Sequence, residues 1–500
     1  MGADREYSTR QLIGLGLGPA LFLFVRVGLY PPGLSPAANA VLASTLWIAV
    51  WWLTEAIPIP VTSLLPVVLF PALGVTDVSG ATAPYADPVV FLFLGGFLVA
   101  LAIERWGLHR RIALHVILRA GRDPRRLLLG IMVATAGLSM WISNTATAML
   151  MVPIGMGVIA QREALRSGEE PVDLSGSTTA ALGTQTLPTS NFGTGLMLGI
   201  AYAASVGGLA TLIGTPPNAI LAGVARTQLG VDIGFVQWLR FGLPLSVGFL
   251  GIAWALLVVL LPPESQDLTD SRAVIRAELH ELGPMGTGER RTVAVFGLVV
   301  LGWLTRPFLL QPLVPGLTDT VVAVIGGILV FVVPVDLRRG EFLLDWQAAT
   351  RVPWGVLLLF GAGFSIARAV QASGLDTWIA TQFLALRGVA FVWILLSVIA
   401  LIVFLSEFTS NSATASLFLP VVAGLALSLS APPLVLMVAV AVAASFAFML
   451  PVATPPNAIV FGSGYLSIPQ MARVGFWLNL LGIGGLLLAV RFWLPIAWGL

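Results

Sequence analysis

The sequence predicts an all-α polytopic membrane protein with about eleven transmembrane helices, two re-entrant hairpins and two inverted repeats. Three observations carry that expectation. Hydrophobic residues make up 57% of the 500 residues and charged residues only 10%, whereas a soluble domain keeps about a quarter of its residues charged to wet its surface. Apolar stretches of about 20 residues recur, the length of a helix across the hydrocarbon core, without the ten-residue alternation of an outer-membrane barrel. Two pairs of polar motifs also recur in register along the chain.

In chain order, the apolar lengths place spans at roughly 11–29, 38–53, 59–75, 88–104, 192–225, 242–261, 291–309, 319–334, 353–371, 432–463 and 475–496. Arg5 and Arg10 precede the first, as in a secretory signal, but its length and Arg26 near its far end fit a retained span. Two further stretches, 124–160 and 389–430, are apolar on both sides of a polar Ser/Thr/Asn centre, with arms too short to cross comfortably. They read as re-entrant hairpins, whose tips must face protein or a wet cavity because polar backbone is not tolerated against lipid. The hydrophilic segment 262–290 reads as a loop joining two halves.

The halves are related. Phe93-Leu94-Gly95-Gly96-Phe97 aligns with Phe360-Gly361-Ala362-Gly363-Phe364 at an offset of 267, and the same offset carries Ser143-Asn144-Thr145 onto Ser410-Asn411-Ser412 and Pro153 onto Pro420. Farther on, Thr215-Pro216-Pro217-Asn218 matches Thr454-Pro455-Pro456-Asn457 at an offset of 239, the difference being an insertion near 163–190. Five spans plus a returning hairpin per half is an odd number of crossings, so the repeats sit upside down relative to each other. Orientation follows from arginine, since there is no lysine. Placing the arginine-rich 104–126 segment in the cytoplasm puts 19 arginines inside and seven outside, with the N-terminus cytoplasmic and the C-terminus extracytoplasmic.

Several function classes drop out. The arginines lie at span ends rather than on one basic face, so no nucleic acid is implied. Zero cysteines remove disulfides and thiolate sites, and His109, His115 and His280 are too dispersed for a metal cluster. His109 and His115 read as structural residues of an interfacial helix. A membrane hydrolase needs a base beside its nucleophile, and no His or Lys lies near Ser143 or Ser410, so the chain does not read as an enzyme.

The repeated motifs carry the remaining chemistry. At each tip, hydroxyls, an amide and the N-terminal amides of the following arm present an anion site. The consecutive prolines free the carbonyls before them, and freed carbonyls suit hard cations such as sodium. One Ser-Asn-Thr alone reads as helix–helix glue; two in register, each followed by a Pro-Pro-Asn break, read as a site for a small anion with cations alongside. Glu407, where the first half has Met140, reads either as a functional intramembrane carboxylate or as an acceptor that holds the hairpin.

With MWISNTATAM and SEFTSNSATA at the tips, and IGTPPNAI and VATPPNAI at the breaks, the sequence resembles the divalent anion:sodium symporter family from about residue 38 to the end. The resemblance implies a homodimer of elevator-type transporters in the inner, cytoplasmic membrane, carrying C4-dicarboxylates, citrate or sulfate with sodium as the coupling ion. With the scaffold and transport domains that it implies, the chain divides into an N-terminal helix (1–37), a scaffold (38–123 and 291–388), a transport domain (124–261 and 389–500) and a cytoplasmic connecting loop (262–290). By motif position it puts substrate contacts on Asn144, Thr145, Thr215, Asn411, Ser412 and Thr454. One sodium site falls on Ser139, Ser143, Asn144 and Gly214, the other on Ser406, Thr409, Asn411 and Ala453. Ser412 stands where bacterial dicarboxylate members commonly have threonine, which keeps the hydroxyl and loses a methyl group. A sodium-independent dicarboxylate exchanger, a sulfate transporter and an uncoupled anion channel are the alternatives.

Overall fold

The computed structural model describes residues 7–29, 31–121, 123–167, 190–263, 271–382 and 388–499. Most of the insertion near 163–190 lies outside them, as do Arg5, Arg122 and Arg387 among the arginines used for orientation. The fold is a helical membrane bundle. Among the described residues, eight helices are long and apolar enough to cross a membrane, and four shorter apolar helices accompany them.

The repeat is visible in helix boundaries. Pro124–Ser139 and Phe391–Ser406 start and stop 267 residues apart, and the arms that follow them, Asn144–Ser167 and Asn411–Ser428, start at the same offset. Pro216–Leu229 and Pro455–Phe461 begin 239 residues apart, each on the first of its two prolines, because proline lacks the N–H that an earlier helical turn would use.

Several elements differ from the sequence reading. The span at 192–225 is two helices, Asn191–Gly208 and Pro216–Leu229, and 432–463 likewise splits into Pro433–Ala443 and Pro455–Phe461. The arms after the tips run 24 and 18 residues, or about 36 and 27 Å at 1.5 Å per residue. They are longer than their apolar runs because the polar Asn-Thr/Ser-Ala-Thr turn is itself helical and, in the first half, because the helix runs on through the largely polar segment 161–167. The stretch at 59–75 breaks into Ile59–Thr62 and Leu65–Ala72 around its prolines. The 262–290 connection contains a helix, Ser271–Glu281, that packs against Leu108–Arg119. A two-stranded antiparallel ribbon, Pro334–Asp336 with Glu341–Phe342, closes one further loop.

Packing interlocks the halves. Pro216–Leu229 of the first half lies on Asn411–Ser428 and Pro433–Ala443 of the second, while Pro455–Phe461 lies on Asn144–Ser167 and Asn191–Gly208. Each half's helix beyond the break is thus a strut for the other half's hairpin arm. A smaller apolar core joins Pro36–Thr54 and Leu65–Ala72 to Trp354–Ser373 and reaches Ala413 on the second hairpin arm. Asp319–Val332 packs along Pro88–Arg105 at Gly95, where a Cβ would come within 2.3 Å of the Ala323 carbonyl oxygen.

Candidate functional site

Ser143, Ser410, Thr215 and Thr454 each stand immediately before a helix, and all four line one cavity of about 1010 Å³. The two tips and the two breaks therefore meet. Asn144, Thr145, Asn411, Ser412, Gly214, Thr409 and Ala453 line the same space. Thr215 and Thr454 are extended, with φ of −144° and −142°, so helical backbone begins only at the prolines: the two threonine carbonyls accept the first bonds, from the Asn218 and Ala458 amides, while Gly214 and Ala453 before them lie outside either helix.

Each break is held open by its own asparagine. Asn218 Nδ2 donates to the carbonyls of Gly208 (3.3 Å) and Thr211 (2.8 Å), and Asn457 Nδ2 donates to those of Ala447 (3.1 Å) and Leu450 (3.0 Å). The acceptors correspond at the 239 offset. The Asn of Pro-Pro-Asn is thus a clamp across the break. Its position was legible in the sequence, but its role was not.

Two of the predicted residues stand apart from the cavity lining. Ser139 is buried behind the first tip, its hydroxyl 2.6 Å from both Asn144 Oδ1 and the Ala204 carbonyl. A hydroxyl has one proton to give, so three oxygens gather there around a single hydrogen. The Gly214 carbonyl joins them from the break: a Cβ on Gly208 would sit 2.8 Å from Asn144 Oδ1 and 3.0 Å from Gly214 O. That oxygen-rich cradle fits a hard cation. In the second half, Ser406 turns away and donates to Ile402 O at 2.8 Å within its own helix. Thr409 Oγ1 lies 2.7 Å from Thr414 Oγ1, and Asn411 Oδ1 is buried with no donor among the described residues, an acceptor that a cation or polar ligand would satisfy. Ser143 Oγ accepts from the Ala146 amide at 3.2 Å and remains on the cavity wall.

Glu407 holds the hairpin. Its two carboxylate oxygens accept from the amides of Phe448 (2.8 Å), Met449 (3.0 and 3.1 Å) and Leu450 (3.1 Å), and from Asn479 Nδ2 (2.7 Å). The carboxylate thereby fastens the second tip to the second break, and it does not line the cavity. At the equivalent place in the first half, Thr211 Oγ1 donates to the Met140 carbonyl at 2.6 Å, a single bond in place of five.

Two aromatic tip residues and several charged residues from outside the motifs complete the cavity. Trp141 at the first tip packs edge-on against Phe296 at 5.1 Å. Phe408, its counterpart at the second, has its carbonyl capped by Arg10 Nη2 at 3.1 Å. Arg10, Glu55, Glu104 and Arg351 line the cavity as well. They occur singly, in elements that only the fold brings to the tips, and no repeat or motif pointed to them.

Paired hairpin tips and paired broken spans converging on one cavity define a secondary membrane transporter. Residues 15–499 match the family described as the sodium:sulfate symporter transmembrane region, and the chain belongs to that family, a family of transporters rather than enzymes. The sodium-dependent dicarboxylate transporter SdcS of Staphylococcus saprophyticus is 41% identical over 501 residues, covering 99% of this chain and 94% of that protein. SdcS of Staphylococcus aureus is 42% identical over 500 residues with the same coverage. The crystal structure of the Alcanivorax borkumensis YdaH transporter shares the fold, with a TM-score of 0.57 at 17% identity over 85% of this chain and 88% of that one.

Proposed function

We propose that the protein carries a small dicarboxylate, a C4 acid such as succinate, malate or fumarate, across the cytoplasmic membrane together with sodium. The observation that carries this reading is the convergence of four helix starts and two oxygen-rich pockets on one cavity whose hairpin and break residues are uncharged. The two tip helix starts contribute about 1 kcal/mol each toward an anion, about 2 kcal/mol together, which falls short even of millimolar binding. A dianion held more tightly needs cations beside it, and the cradle at Ser139, Asn144 and Gly214 suits one. The relatives' names accord with that need.

The cavity wall extends to Ser8, Arg10, Glu55, Glu104 and Arg351, which the arginine count puts towards the cytoplasmic face, and we take the cavity to open there. On this reading the structure is the inward-facing state. The hairpins and broken helices (124–261 and 389–500) form the moving body, and 38–123 with 291–388 form the frame and the homodimer contact. The N-terminal end of Phe235–Leu260 is pinned to that frame, since Asp319 Oδ2 accepts from the Phe235 amide at 2.8 Å and Phe235 stacks on Trp303 at 4.6 Å. Phe235 is therefore one of the places where the two bodies are joined.

The test is uptake into proteoliposomes under an inward sodium gradient, with succinate as substrate and sulfate, citrate and fumarate as competitors. Sodium-driven succinate uptake blocked by fumarate is expected. Uptake of sulfate alone would move the substrate assignment to inorganic dianions, and succinate exchange indifferent to sodium would make the protein an exchanger.

A further inference from the structure

The charged residues on the cavity wall are segregated by origin. The hairpins and broken helices supply only neutral groups there, whereas Arg10, Glu55, Glu104 and Arg351 all belong to the first helix or the proposed frame. Arg10 is occupied, donating to the carbonyls of Leu53 and Phe408. Arg351 is different. It is exposed into the cavity, and among the described residues its side chain forms neither a hydrogen bond nor an ion pair. Glu104 is the carboxylate that feels its charge, at longer range.

Its position is nonetheless fixed. Arg105, next to Glu104, pairs with Asp345 at 2.6 Å, and Trp106 Nε1 donates to the Leu343 carbonyl at 2.8 Å. Asp345 caps the short helix Trp346–Ala349 through the Ala348 amide at 2.7 Å. The Arg351 amide continues that turn onto the Ala348 carbonyl at 3.1 Å. An arginine that is neither hydrogen-bonded nor ion-paired, on an anchored backbone in the wall of an anion cavity, focuses field on whatever enters.

We propose that Arg351 guides the dianion at this face alone, as a positioning residue of the frame that the substrate meets on entering or leaving the cavity here and leaves behind when the site moves to the other side. The inference rests on the dianion-transport reading and adds a sidedness that the reading does not contain. A guanidinium left on the frame shapes encounter at one face and is out of range at the other, because free charges are screened beyond about 8 Å at physiological salt.

Initial rates of succinate transport, measured in membrane vesicles of both orientations, test it. Arg351→Gln should raise the Michaelis constant roughly three- to tenfold on the face bearing the N-terminus, the low end of what focused charge does to encounter. The constant on the opposite face should stay at the wild-type value. Arg351→Lys should restore most of the loss, and the Gln-to-wild-type ratio should shrink towards one as salt is raised. An equal change on both faces, or none on the N-terminal face, overturns the proposal. Wild-type uptake reports separately on the transport reading, while the variant-to-wild-type ratio at each face reports on Arg351.

Discussion

At the scale of single residues, the proposed function rests most heavily on Asn144 and Asn411. Each opens a helix at a tip, and each amide oxygen faces a pocket rather than a helical neighbour. Replacing either with Ala should lower substrate transport by more than about tenfold, the loss expected when a contact of about 1.5 kcal/mol or more to a charged ligand is removed, while the protein stays folded. Full transport of every tested dianion by both variants would remove the tips from the site. Glu407 belongs to stability instead. Glu407→Ala strands three backbone amides in a buried place, a cost of about 3–5 kcal/mol, so it should melt at a clearly lower temperature in detergent. Glu407→Gln keeps one acceptor oxygen and should lose less. Normal melting of the Ala variant together with lost sodium dependence would assign the carboxylate to the cation. Its place beside the second tip was visible in the sequence, but its role was not, because its partner Asn479 lies 72 residues away in a helix without any motif.

At the scale of elements, the two breaks behave as copies. Asn218 and Asn457 clamp carbonyls at corresponding positions, so Asn218→Ala and Asn457→Ala should each cost about 1–3 kcal/mol by stranding those acceptors. Melting temperatures that fall for one variant and not the other would show that the repeats have diverged in how they hold their breaks. Repetition is also why these elements were legible. Constant offsets located tips, breaks and hairpin starts, whereas Arg10, Glu104 and Arg351 became neighbours of the site only through tertiary packing. Hairpin arm lengths were misjudged for a local reason, since a polar first turn hides a helix start from a reading that follows apolar runs. The helix inside 262–290 was missed because it is short and largely polar, and its stability comes from packing on Leu108–Arg119 rather than from propensity.

For the whole molecule, movement of one body against the other predicts which surfaces change. Ala413 is buried against Pro36–Thr54 and Trp354–Ser373 of the proposed frame, and Ala146 lines the cavity. The chain has no cysteine, so single cysteines need no cleared background. In the state described here, cysteine at 146 should react with an impermeant thiol reagent from the N-terminal face and cysteine at 413 should be protected. Sodium with substrate should alter both, and cysteine at Val68 in the frame should ignore them. Ligand-dependent labelling at Val68 would mean that the frame has been drawn in the wrong place.

Coupling of sodium to the dianion is the central claim, and binding tests it without the complications of flux. Linkage requires each ligand to strengthen the other by the same factor. Titration of succinate into the purified protein across a range of sodium concentrations, at constant ionic strength with choline as replacement, should give an affinity that climbs steadily with sodium. An affinity that stays the same with choline alone would contradict the account and leave the protein a sodium-independent exchanger.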